Sequence, residues 1–175
     1  MLRDTLGSIP EAVPRMFHRQ ILFIALIAAP LCGVAAHAGA GFTAGGDVAV
    51  TNASGHGGSY DFGLDTGYRF DCGLGLRLSY ASLTHYEMTI VSGSATMHHA
   101  IADRWQLIGQ LGVAYWTESP TGYDGSGEAP LLGIGLSYAL APSSSLRLQY
   151  QLVPGAGSRL GANLDTVMLG LQHRF

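Results

Sequence analysis

Seven charged residues, Asp47, Asp61, Asp65, Arg69, Arg77, Arg147 and Arg174, fall, never adjacent to one another, in segments where apolar residues alternate with small or polar ones. A lone charge taken out of water is costly, so residues placed this way are expected to pair, acid against guanidinium. Asp65 and Arg147 are candidates for a central pair. Arg69, Arg77 and Arg174 are expected toward one end of the molecule, with Asp47 and Asp61 toward the other. Such a network can act as a gate, or simply as a plug that satisfies a narrow interior. Histidines raise a second possibility. His85, His98 and His99 could serve as bases, with Glu87, Asp103 or Glu118 as acids. A hydrolase also needs a serine within reach of the base, and neither His98 nor His99 begins a His-x-Ser step. Neighbours on a strand point to opposite faces, so His98 and His99 make a poor metal pair. The glycine-rich stretches lack the lysine and the strand–loop–helix setting of a phosphate loop. No catalytic, cofactor-binding or metal-ligating set is expected, and no cofactor is implied.

These charges must be positioned by strands. Tyr60, Phe62, Leu64, Thr66, Tyr68 and Phe70 occupy one face of a segment whose other face is Asp61, Gly63, Asp65, Gly67 and Arg69. A period of two with one apolar side is the mark of a β-strand. The same alternation recurs over 74–81, 105–115, 132–140 and 146–152, and from about Leu164 to Phe175. It is weaker over 42–50, and weakest over 88–101, which is counted as the fourth strand mainly to complete an even number. The connections Asp71-Cys72-Gly73, 102–104 and 141–144 are tight. Those at 51–59, 117–128 and 154–163 are longer and rich in Gly, Ser, Pro and Asn, and 83–87 is intermediate. Long and short connections therefore alternate, as in an up-and-down transmembrane barrel. The expected fold is all-β: an eight-stranded antiparallel up-and-down transmembrane β-barrel, preceded by a cleaved signal peptide. A soluble ligand-binding barrel would alternate too, but the polar face here is too bland for a solvated surface.

Composition agrees. Apolar residues make up 47% of the chain and charged residues only 12%, half the share usual in soluble proteins. Mean hydropathy is only slightly positive, because alternation spreads the apolar residues out. A net charge of -3 and the absence of lysine give no support to nucleic-acid binding. Residues 16–38 read as a signal peptide: a short basic stretch, an apolar core over 21–34, and Ala36-His37-Ala38 as the cleavage site, with Ala38-Gly39-Ala40 a close second. Residues 1–15 read as an upstream extension and 39–175 as the barrel domain. With the leader removed only Cys72 remains, so no intramolecular disulfide is expected. Threaded up and down, Phe42, Phe70, Trp105, Tyr138 and Phe175 fall near one end of the outward face, and Tyr60, Tyr80 and Tyr115 near the other. Such aromatic girdles form where rings meet a membrane interface.

The chain resembles the transmembrane domain of outer-membrane protein A and its small-barrel relatives over roughly residues 41–175. The likeness is carried by Asp65-Thr66-Gly67-Tyr68-Arg69-Phe70, Asp103-Arg104-Trp105, the stretches 135–140 and 146–150, and Met168-Leu169-Gly170-Leu171-Gln172-His173-Arg174-Phe175. The last of these, with Gly170, Leu171, His173 and Phe175, resembles the C-terminal signal for barrel insertion. Relatives commonly carry an acid near Gln149 and Tyr in place of His173, so the chain departs at both. The resemblance implies residence in the bacterial outer membrane after export through the periplasm. It implies interior salt bridges with at most a small pore, and a structural and surface-interaction role. The alternatives are a low-conductance pore and, because some small barrels modify it, a lipid A-directed enzyme. Expected partners are outer-membrane lipid and lipopolysaccharide, the barrel-assembly machinery and periplasmic chaperones, and an extracellular ligand at the loops. Trp116 and Tyr123 are candidate loop contacts. The likeness covers the barrel alone and implies nothing about anchoring to the cell wall.

Overall fold

The computed structural model describes residues 40–53, 57–118, 125–156 and 162–175. The extension over 1–15, the leader over 16–38 and Tyr123 lie outside the described residues. Eight strands follow one another: β1 (Gly41–Ala53), β2 (Gly57–Arg69), β3 (Leu74–Leu83), β4 (Met88–Ala102), β5 (Trp105–Glu118), β6 (Gly125–Ala141), β7 (Ser144–Ala156) and β8 (Ala162–Arg174). Each pairs antiparallel with its neighbours in sequence. The last pairs back on the first, from Thr43↔Arg174 to Ala53↔Leu164, so the sheet closes into a barrel. Closure removes both sheet edges and leaves no ladder unpaired, which is what allows a sheet to sit in hydrocarbon.

The alternation decides which side each residue faces. Val48, Leu64, Leu78, Leu111, Ile134, Leu148 and Leu169 are all exposed on the outer wall. Left in water, they would form an apolar surface far larger than a soluble monomer carries. Their sequence neighbours point into the barrel. β4 follows the same rule although its sequence hides it. Ser92, Ser94 and Thr96 face in while Gly93 and Ala95 face out, so both faces are small and the contrast in polarity is slight. A register shift between Ala100 and Ala102 further blurs its end.

Four connections are described. The 70–73 turn is closed by Gly73 N–H donating to the Phe70 carbonyl at 3.1 Å. Gly73 has φ 81°, a left-handed conformation that a β-carbon disfavours. The 103–104 and 142–143 turns lie at the same end, and 84–87 at the other. The long connections are shorter than the sequence suggests, because strands continue into them. Thr117 pairs with Ser126 and Glu118 with Gly125 in segments expected to be loop. Ladder hydrogen bonds use the backbone, so polar and glycine-rich residues extend a hairpin even where alternation of polarity has ended.

Cys72 is disulfide-bonded in the full chain; the lone thiol read from the sequence refers to the chain without its leader.

Candidate functional site

Inward-facing side chains fill the barrel in three layers. In the middle layer Asp65, whose carboxylate is completely buried, accepts from two arginines. Arg77 Nη2 donates to its Oδ1 at 2.8 Å, and Arg147 Nη2 shares the same oxygen. Asp47 lies slightly farther away, with its Oδ2 4.0 Å from Arg77 Nη2 and 3.8 Å from Arg147 Nη2. Two acids and two bases make the quartet neutral. A polar fringe completes it: Arg77 Nη1 donates to Gln149 Oε1 at 2.8 Å. Gln149 and Gln151 both donate to Gln110 Oε1, and Gln110 Nε2 donates to Ser94 Oγ at 2.8 Å. Charged groups that share hydrogen bonds in a dry interior hold one another firmly, because each is costly to leave alone.

Glycine makes the room. A β-carbon on Gly63 would lie 2.3 Å from Asp47 Oδ1, and one on Gly170 would lie 2.8 Å from Asp47 Cβ. The alternating Gly positions of β2 and β8 therefore admit the carboxylate between them. Gln149 explains a departure noted from sequence. With Asp47 and Asp65 already balancing Arg77 and Arg147, a neutral amide both accepts from Arg77 and donates to Gln110, where a third carboxylate would add an unbalanced charge.

Toward the end of the long connections the interior turns apolar. Ala53, Leu83, Met88, Ala114, Trp116, Leu131, Val153 and Leu164 pack into one buried cluster. Trp116 is 5% exposed and lies on Gly127, where a β-carbon would sit 2.5 Å from its ring. The expectation that Trp116 is a loop contact is therefore corrected. The residue continues the inward phase of β5 after Gln106, Ile108, Gln110, Gly112 and Ala114, and that phase runs on past the alternation of polarity. Adjacent apolar pairs at strand ends, Leu131-Leu132 and Leu152-Val153, were the available signal. Asp61 borders this layer and accepts from Ser59 Oγ at 2.6 Å. Thr51 and Thr166 are joined by a hydroxyl bond of 2.9 Å.

Toward the tight turns lies the third layer, a cavity of about 190 Å³ lined by Thr43, Arg69, Gln106, Ser137, Gln172 and Arg174, among others. Arg174 Nη2 donates to the Pro142 carbonyl at 2.9 Å. The seven charged residues are thus not one network. The structure gathers Asp47, Asp65, Arg77 and Arg147, and sets Asp61 to one side and Arg69 with Arg174 to the other. Arg77, expected with Arg69 near the end, belongs instead to the central group, because its side chain reaches across to Asp65. His98 faces inward among Arg69, Arg77 and Arg147, and His99 is exposed on the outer wall.

On the outer wall the aromatic residues group by contact. Phe42, Tyr68 and Phe70 form a chain of edge-to-face pairs with centroids 5.1 Å apart. Trp105 and Tyr138 lie 4.9 Å apart, and His173 meets Phe175 at 4.8 Å. All seven lie at the end of the tight turns. His173 Nδ1 also bonds Ser144 Oγ at 3.0 Å. Phe175 N–H donates to the Phe42 carbonyl at 2.9 Å, which ties the last residue to the first strand. Gly170 and Leu171 lie just before it, Gly170 facing in against Asp47 and Leu171 out. Tyr60 and Tyr80 are exposed toward the opposite end, and Tyr115 is half-buried there.

A closed barrel with an apolar wall and most of its strand charges in its lumen is a transmembrane β-barrel. Residues 22–175 match the family model for the outer membrane protein beta-barrel domain, and the chain belongs to that family. It is 29% identical over 138 residues to outer membrane protein A of Serratia marcescens, covering 65% of this chain and 38% of that one. It is 32% identical over 96 residues to outer membrane protein A of Serratia odorifera, covering 47% of this chain and 40% of that one. The chain thus spans about two fifths of the length of these curated relatives. In fold it is similar to the crystal structure of neisserial surface protein A, with a TM-score of 0.61 at 19% identity over 78% of this chain and 99% of the other. The protein resides in the bacterial outer membrane. By the rule for such barrels, the tight turns face the periplasm and the long connections the outside.

Proposed function

We propose that the protein is a non-enzymatic scaffold of the outer membrane, with a structural role in the envelope and a surface-interaction role for its extracellular connections. The observation that carries this reading is the filled lumen. An apolar cluster around Trp116 lies above a neutral, hydrogen-bonded quartet, and eight strands enclose a space only wide enough for side chains. Among the described residues the apolar cluster occupies most of this layer, beside the buried Thr51, Ser59 and Asp61. Among the described residues His98 has arginines and a hydrogen bond to Gln106 around it, not the acid that orients a catalytic histidine. The barrel supports lipid and lipopolysaccharide contact through its wall. It would reach the membrane through the assembly machinery and periplasmic chaperones.

A second reading, a low-conductance pore, is favoured by one feature. Both arginines lie near both acids, so the quartet could exchange pairings without exposing a bare charge. Single-channel recording of the refolded protein in a planar bilayer separates the two, with folding verified by the mobility difference between boiled and unboiled samples. The scaffold is expected to be silent. Reproducible current steps from folded protein would overturn it in favour of the pore, and Asp65→Ala should then change their size.

A further inference from the structure

The lumen carries its charge unevenly along its axis. Asp61 and Glu118 face in on the extracellular side and the neutral quartet holds the middle. At the periplasmic mouth Arg69 and Arg174 line one cavity. Among the described residues no carboxylate is within ion-pair distance of Arg69, and its Nε is buried without a hydrogen-bond partner. His98 Nδ1, next to the same arginine in an adjoining pocket, is also buried without a partner. A second guanidinium beside Arg69 makes its position worse, since like charges repel where water is scarce. The rest of the lining suits an oxyanion. Thr43, Ser137, Ser143, Ser145 and the amides of Gln106 and Gln172 offer neutral hydrogen bonds. The volume of about 190 Å³ holds a tetrahedral anion and some of its water.

We propose that this periplasmic vestibule is a binding site for a phosphate-type oxyanion, held by the Arg69 guanidinium and assisted by Arg174. A planar guanidinium gives two parallel donors to such a group, and a charge-assisted pair in a half-dry pocket is stronger than one on an open surface. The bound anion offsets the charge of Arg69, which has no carboxylate within ion-pair distance among the described residues. Its source is either free phosphate in the periplasm or the phosphodiester of an inner-leaflet lipid headgroup.

The test is calorimetric and NMR titration of the refolded protein with inorganic phosphate, in octyl glucoside micelles at constant ionic strength. Saturable binding is expected, with shifts confined to amides around residues 69, 143–145 and 172–174. Arg69→Gln is expected to weaken it at least tenfold. Should that variant lack the heat-dependent gel shift, Ser145→Asp replaces it, because a carboxylate placed in the vestibule competes with phosphate and lowers affinity to a similar degree. Arg104→Gln, an exposed arginine at the same end outside the cavity, is expected to leave affinity unchanged. Absence of saturation, or equal losses for Arg104→Gln and Arg69→Gln, would overturn the site. Dihexanoyl phosphatidylglycerol then identifies the source: competition with phosphate through Arg69 assigns the lipid headgroup, and no competition assigns the free anion.

Discussion

Asp65 is the residue on which the interior depends most. Its carboxylate is the only one in direct contact with both Arg77 and Arg147 among the described residues, and Asp47 stands nearly 4 Å away from each. Removing one partner of a buried ion pair leaves the others desolvated and uncompensated, at a cost of about 3–5 kcal/mol. Asp65→Asn keeps the shape and removes the charge. It is expected to destabilise the barrel by roughly that amount, read as a lower urea midpoint for unfolding from lipid vesicles. An unchanged midpoint would mean that Asp47 moves in to balance both arginines. The sequence supplied the types and the inward phase of these residues. It did not supply their grouping, because reach across a barrel depends on stagger between strands that are distant in the chain.

At the scale of the element, the strands are set by small residues as much as by apolar ones. β4 and β5 approach closely where Gly112 faces the Gly93–Ser94 backbone. A β-carbon there would lie 2.3 Å from the Gly93 carbonyl oxygen and 2.6 Å from Ser94 Cβ. Gly109, on the opposite face of β5, has nothing within 4 Å. Gly112→Ala must push backbone apart and is expected to cost about 1–3 kcal/mol as overpacking. Gly109→Ala should be neutral or stabilising by up to about 1 kcal/mol, since alanine loses less entropy on folding. Paired unfolding midpoints in vesicles check the contrast, and equal effects would show that β4 and β5 separate freely. β4 carries the weakest sequence signal of the eight strands for the same reason: its faces differ by a hydroxyl or a methyl, a contrast that periodicity barely registers.

Over the whole molecule, the membrane acts as the outer solvent. Leu111 stands midway along β5, paired with Leu132 and Ala95, and is 58% exposed to what surrounds the barrel. Leu111→Arg places a charge on the lipid face near mid-height and is expected to cost about 2–4 kcal/mol in a bilayer. The check is the folding equilibrium in vesicles. A negligible cost would place water, not lipid, against this wall. The vestibule, the quartet and the apolar cap belong to this scale too, because each is built from strands far apart in sequence that meet only when the barrel closes.

By itself, the sequence determined the all-β class, the inward and outward phase of nearly every strand, and an apolar wall suited to lipid. Alternation is a local property, and a one-residue slip would turn each strand inside out, so the pattern is firmly encoded. Even the lumen positions of Asp47, Asp65, Arg77 and Arg147 follow from it. Only the tertiary structure decided which charges meet, that Trp116 and the apolar ends of several strands cap the lumen, and that Arg69 and Arg174 share a cavity. Those outcomes turn on register around a closed sheet. Phase tells a side chain which face to occupy, whereas its height and its neighbours across the lumen come from the stagger of all eight strands at once.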